Sequence, residues 1–104
     1  MTTTYQEPAY IAAAQAIYKA FQRKKGNIVS LLSDAMRVLR QMGPAGLDLW
    51  IKTDPNRQFI IQGLKNSHFS YNLRADDFNT AWSEVERLIK VLRYAKAYAK
   101  TQGE

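Results

Sequence analysis

Residues 47–74 read LDLWIKTDPNRQFIIQGLKNSHFSYNLR, and the period assigned to them decides the fold. Leu47, Leu49 and Ile51 alternate with Asp48, Trp50 and Lys52. Phe59 and Ile61 alternate with Gln58, Ile60 and Gln62. Phe69, Tyr71 and Leu73 alternate with His68, Ser70, Asn72 and Arg74. Apolar and polar residues in alternation are the mark of a half-buried strand. Asp54-Pro55-Asn56 and the run from Gly63 to Ser67 supply turn chemistry between the runs. The stretch therefore predicts three short strands in an antiparallel β-meander. One sheet face presents the alternating apolar set and has to be covered. On the other face Trp50 and Ile60 are the large apolar outliers. They are interface candidates, open to three readings: cover by an N-terminal hairpin, contact with a second copy, or contact with another ligand.

Upstream, residues 1–7 are polar and read as a flexible tail. Thr4 or Glu7 can cap a first helix that tolerates Pro8 in its opening turn. Its stripe is Tyr10, Ile11, Ala14, Ile17, Tyr18 and Phe21, and it ends at Arg23-Lys24-Lys25 with Gly26 as the stop. Asn27 caps a second helix with the stripe Ile28, Leu31, Leu32, Ala35, Val38, Leu39 and Met42, closed by Gly43-Pro44. So short a link predicts an N-terminal αα-hairpin.

Downstream, residues 77–102 read as one long amphipathic helix. Phe78, Ala81, Trp82, Val85, Leu88, Ile89, Leu92, Ala95 and Ala99 recur at spacings of three and four. Asp76-Asp77 stands ahead of it as cap and dipole complement, Glu86 precedes Lys90 by four, and Gly103 ends it. The helix is expected to cover the apolar sheet face, with Trp82 buried between the two. The resulting fold class is α+β, in the order α-α-β-β-β-α, as a single domain over 1–104. Double-stranded RNA-binding domains share the α-β-β-β-α order, but here the last helix opens with Asp76-Asp77-Phe78-Asn79, not with lysines that would meet phosphates. A winged helix would need a third helix before its wing. No family is identified on these residues.

The 104 residues carry 15 Lys and Arg against 9 Asp and Glu, a net charge of +6. That balance favours anionic partners: nucleic acid, anionic lipid or an acidic protein. There is no cysteine, which excludes disulfide scaffolds, zinc ribbons and thiol catalysis and fits a reducing cytoplasm. No signal peptide is read at the start, and no apolar run is long enough for a membrane span.

Catalytic chemistry finds little to use. His68 is the only histidine and reads as a strand-edge polar residue with no converging nucleophile and acid. Asp76-Asp77 is the adjacent carboxylate pair and is explained by capping. The glycines at 26, 43, 46, 63 and 103 build no phosphate-cradling loop. No enzyme, metal or cofactor is expected. The cations are the stronger signal: Arg23, Lys24 and Lys25 at the first bend, Arg37 and Arg40 on the second helix, and Arg87, Lys90, Arg93, Lys96 and Lys100 on the last. Tyr94 and Tyr98 interleave with them, either as a contact surface or as rings packed on another element with wet hydroxyls. Cations with stackable rings suit nucleic acid. The expectation is a small basic nucleic-acid-binding protein, DNA- or RNA-binding, alone or within a nucleoprotein complex. The alternative is a protein-interaction module, a homodimer or an adaptor on an acidic protein.

Overall fold

The computed structural model describes residues 3–22, 27–53, 57–72 and 76–103. They form five helices: α1 (Thr3–Gln22), α2 (Ile28–Met42), α3 (Pro44–Thr53), α4 (Gln58–Asn66) and α5 (Phe78–Thr101). Among the described residues there is no strand, so the α+β class, the three-stranded meander and the helix-on-sheet packing are all overturned. The fold is all-helical.

The stretch 47–74 carries two periods at once, and the longer one wins. In α3 the buried positions are Gly46, Leu47 and Trp50, with Ile51 half-buried. In α4 they are Ile60, Gly63 and Leu64, with Arg57 just ahead. Spacings of three and four link both sets. A strand would place Trp50 and Ile60 on the polar side; the helices bury them to 8% and 1% exposure. Burying an indole removes roughly 200 Å² from water, worth about 5 kcal/mol. The cost is Leu49, left 51% exposed, which forfeits about 1 kcal/mol. The residues that looked misplaced on a sheet were the core of two helices. Their interface assignment rested on an exposed sheet face, and the described residues form no sheet.

Turn assignments change with it. Gly63 lies inside α4, where an added Cβ would come 2.5 Å from the Cα of Ile17 on α1. The glycine lets two backbones touch. The α4 helix ends at Ser67–His68, where the N–H of His68 donates to the Lys65 carbonyl and that of Phe69 to the Leu64 carbonyl, at 3.1 and 3.0 Å. His68 takes φ 58°, the left-handed position of this helix-ending motif, in place of the expected strand edge. Residues 69–72 then carry no regular secondary structure. Phe69 is buried, and the Asn72 N–H donates to Glu84 Oε2 at 2.6 Å, which ties this segment to α5. Asp54-Pro55-Asn56, Leu73 and Arg74 lie outside the described residues.

The well-capped helices stand as read. The Asn27 side chain accepts from Ser30 N–H at 3.0 Å, and that of Asp77 from Thr80 N–H at 2.8 Å. Gly43 ends α2 at φ 68°, ψ −151°, a conformation open essentially to glycine alone, and donates its N–H to the Leu39 carbonyl. Helix α1 begins at Thr3, inside the stretch expected as a tail, and runs through Pro8.

Helices α1 and α2 do not form a packed hairpin. Each packs on α5, with α4 against α1 and α3 beside α2. The last helix is thus the central element, which explains why Val91 is buried in addition to its expected stripe. Phe78, by contrast, is 73% exposed, and Trp82 is half-buried. The domain spans 39 × 37 × 21 Å, the short axis matching two helix diameters.

Candidate nucleic-acid interface

Midway along α5 its outer face forms the floor of a cleft of about 690 Å³. Trp82, Ser83, Glu86, Arg87, Ile89, Lys90 and Arg93 line it from α5; Tyr10 closes one edge from α1 and Arg40 the other from α2. Four cations and one carboxylate therefore face a common space.

The cations are held differently. Arg87 is the most committed. Its Nη1 donates to Glu84 Oε1 at 2.9 Å, and its guanidinium lies 4.9 Å from the Phe69 ring centroid. Burial opposes its charge, but hydrogen bonds to Tyr10 and Glu84 and the Glu84 charge outweigh that, so its pKa stands above the ordinary value. Lys90 places its ammonium 4.8 Å above the buried Tyr10 ring, a cation–π contact, and not on Glu86 as the spacing of four suggests. Arg40 and Arg93 are exposed and make no ion pair among the described residues. A planar guanidinium with no internal partner is the group best suited to grip a phosphate in two-point fashion.

Of the sequence-predicted residues, Arg87, Lys90 and Arg93 meet in this cleft. Lys96 and Lys100 continue the strip along α5 beyond it. Tyr94 and Tyr98 turn to α1: Tyr94 packs on Tyr10 with centroids 6.0 Å apart, and Tyr98 meets Tyr18 edge-on at 5.3 Å. Both are half-buried, so the packing reading of these rings holds over the open contact surface. Arg23, Lys24 and Lys25 lie outside the described residues. Arg40 completes the cleft from a distant helix; its charge is plain in the sequence, its convergence with α5 is not.

On the other side of Trp82 lies an apolar groove of about 880 Å³. Met42, Leu47, Ile51, Ile61 and Tyr71 line it, with Phe78 at its rim and Asp48 and Asp76 as its carboxylates. Burial pushes the Tyr71 hydroxyl above its ordinary pKa. The Phe78 and Trp82 rings stand 6.1 Å apart at 63°. Trp82 lines both concavities and separates the basic cleft from the apolar groove.

Among the described residues no group of three His, Cys, Asp or Glu side chains is placed to hold a metal ion. No helix among them is long and apolar enough to cross a membrane. No family model, curated protein or solved structure matches this chain.

Proposed function

We propose that the protein is a non-enzymatic nucleic-acid-binding protein of the cytoplasm that holds the phosphate backbone in the α5 cleft. The observation that carries this reading is the convergence of Arg40 from α2 with Arg87, Lys90 and Arg93 from α5 around one cleft, inside a chain of net charge +6. Cations gathered on a concave surface bind polyanions by releasing condensed counterions. Lys96 and Lys100 extend the positive strip and would contribute at longer range. The test is binding of random-sequence oligonucleotides at low and raised salt. Each lost phosphate contact should lower the salt slope by about one unit. The paired change Arg40→Glu, Arg93→Glu should abolish binding with the circular dichroism spectrum unchanged, and should cost more than Lys96→Glu, Lys100→Glu. Equal losses from the two pairs would dissolve the cleft into a diffuse charge effect. No binding by the wild type at low salt would end the reading.

The apolar groove favours a second reading, self-association. Phe78 and Met42, 73% and 52% exposed, stand beside an apolar concavity that a second copy would cover. Light scattering at high micromolar concentration would then give twice the monomer mass, and a clean monomer removes this reading.

A further inference from the structure

Resting on the nucleic-acid reading above, we infer that the bound strand is single-stranded and that its bases stack on the Phe78–Trp82 ring pair while its phosphates lie in the cleft. The two rings sit at the border of two environments. On one side of Trp82 are Arg40, Lys90 and Arg93; on the other are the apolar groove and the carboxylates of Asp48 and Asp76. A phosphodiester chain is drawn to the first side and repelled from the second. A base has the opposite preference, because its faces are apolar and its exocyclic amines can donate to carboxylates. The charge division across Trp82 therefore orients a strand, backbone to the cleft and bases to the rings.

Exposure of the rings supports stacking over duplex docking. Phe78 is 73% exposed at the first turn of α5 and contacts Trp82, itself half-buried against Gly43. An exposed aromatic touching a tryptophan that itself borders a basic cleft is the kind of stacking surface that sequence-tolerant single-strand binders use. A duplex keeps its base faces inside its own stack and offers the rings nothing but edges and sugars.

The experiment uses the full chain and three probes: a fluorescein-labelled single strand of about 12 nucleotides, long enough for one such site, the duplex of the same sequence, and inorganic polyphosphate. Anisotropy gives affinity, and tryptophan emission reports Trp82, since Trp50 is buried. The expected result is tighter binding of the single strand than of the duplex, with quenching of tryptophan emission. Phe78→Ala should weaken the single strand about tenfold, the size of one stacking contact, and leave polyphosphate binding unchanged. Trp82→Phe keeps an aromatic face and should weaken the single strand less than Phe78→Ala does, while removing the quenching. Equal or tighter duplex binding, or no loss from Phe78→Ala, overturns the inference while polyphosphate binding upholds the cleft. A wild-type dimer that Phe78→Ala makes monomeric, at constant nucleic-acid affinity, assigns the ring to self-association and overturns it as well. Binding of none of the three probes at low salt fails the function reading and the inference together.

Discussion

His68 carries a conformation that its side chain does not favour. At φ 58° it fills the helix-ending position where glycine is the usual residue, and its N–H and that of Phe69 satisfy the last carbonyls of α4. His68→Gly removes the Cβ crowding at that position but gives the unfolded chain more freedom. The net gain should be about 0.5–1 kcal/mol, read as a higher urea midpoint at unchanged slope. A loss of stability would show that the imidazole makes contacts outweighing its backbone strain. Asp77 offers a second residue-scale test. Hydrogen bonds from the Thr80 N–H and from the Thr80 hydroxyl hold its carboxyl below the ordinary carboxylate pKa. A depressed folded-state pKa means stabilisation that is present above the unfolded-state value and lost as pH falls through the folded one. Asp77→Ala should lower Tm at neutral pH, and the gap to wild type should close as pH falls through the ordinary carboxylate range and below it. A gap that stays constant down to strongly acid pH would show that the carboxylate charge plays no part in the cap.

Between elements, the decisive features are close approaches. Gly63 lets α4 lie on α1 with backbone almost touching backbone, since a Cβ there would meet Ile17 Cα and N at 2.5 and 2.6 Å. Backbone atoms cannot swing aside, so Gly63→Ala should separate the pair and cost about 3 kcal/mol, the upper end of overpacking. A loss below about 1 kcal/mol at Gly63 would show that α1 and α4 adjust without strain. This glycine also marks the limit of what the sequence reveals. Helices α2 and α5 were legible because each is long, capped by Asn27 or Asp77, and striped over three or more turns. Helices α3 and α4 have ten and nine residues, and in so short a window Leu47, Leu49 and Ile51 satisfy period two as well as Leu47, Trp50 and Ile51 satisfy the helix. Gly63 looked like a turn because a glycine that breaks a helix and one that admits a neighbour are the same letter. The site was half legible for a related reason. Arg87, Lys90 and Arg93 share one face of one helix, whereas Arg40 reaches them only through α2–α5 packing that no local pattern encodes.

At the scale of the whole molecule, α5 is flanked by two helix pairs, α1 with α4 on one side and α2 with α3 on the other. The pairs are also joined directly by Arg57, at the start of α4. Its Nη2 donates to Asp34 Oδ2 of α2 at 2.7 Å, and its guanidinium lies 4.2 Å from the ring centroid of Trp50 on α3. Asp34 also pairs with Arg37, so one carboxylate serves a surface arginine and a buried one. The Arg57 side chain is 8% exposed and that of Asp34 35%. Such a pair stabilises little compared with an apolar replacement, but breaking it from one side strands a charge in the interior. The two partners should therefore respond unequally. Asp34→Ala removes the acceptor that faces Nη2 of a guanidinium buried on Trp50; the loss should approach about 3 kcal/mol, held below a fully buried pair's value by the solvent that reaches position 34. Arg57→Met keeps an extended side chain over the indole, removes the need for the carboxylate and should cost less than about 1 kcal/mol. Adding Asp34→Ala to Arg57→Met should then cost far less than Asp34→Ala alone, a coupling that urea unfolding of the four proteins measures. If the two single changes cost the same and add in the double, the guanidinium gains as much from Trp50 and its own packing as from the charge. The link between the helix pairs would then be carried by the stacked ring rather than by the ion pair.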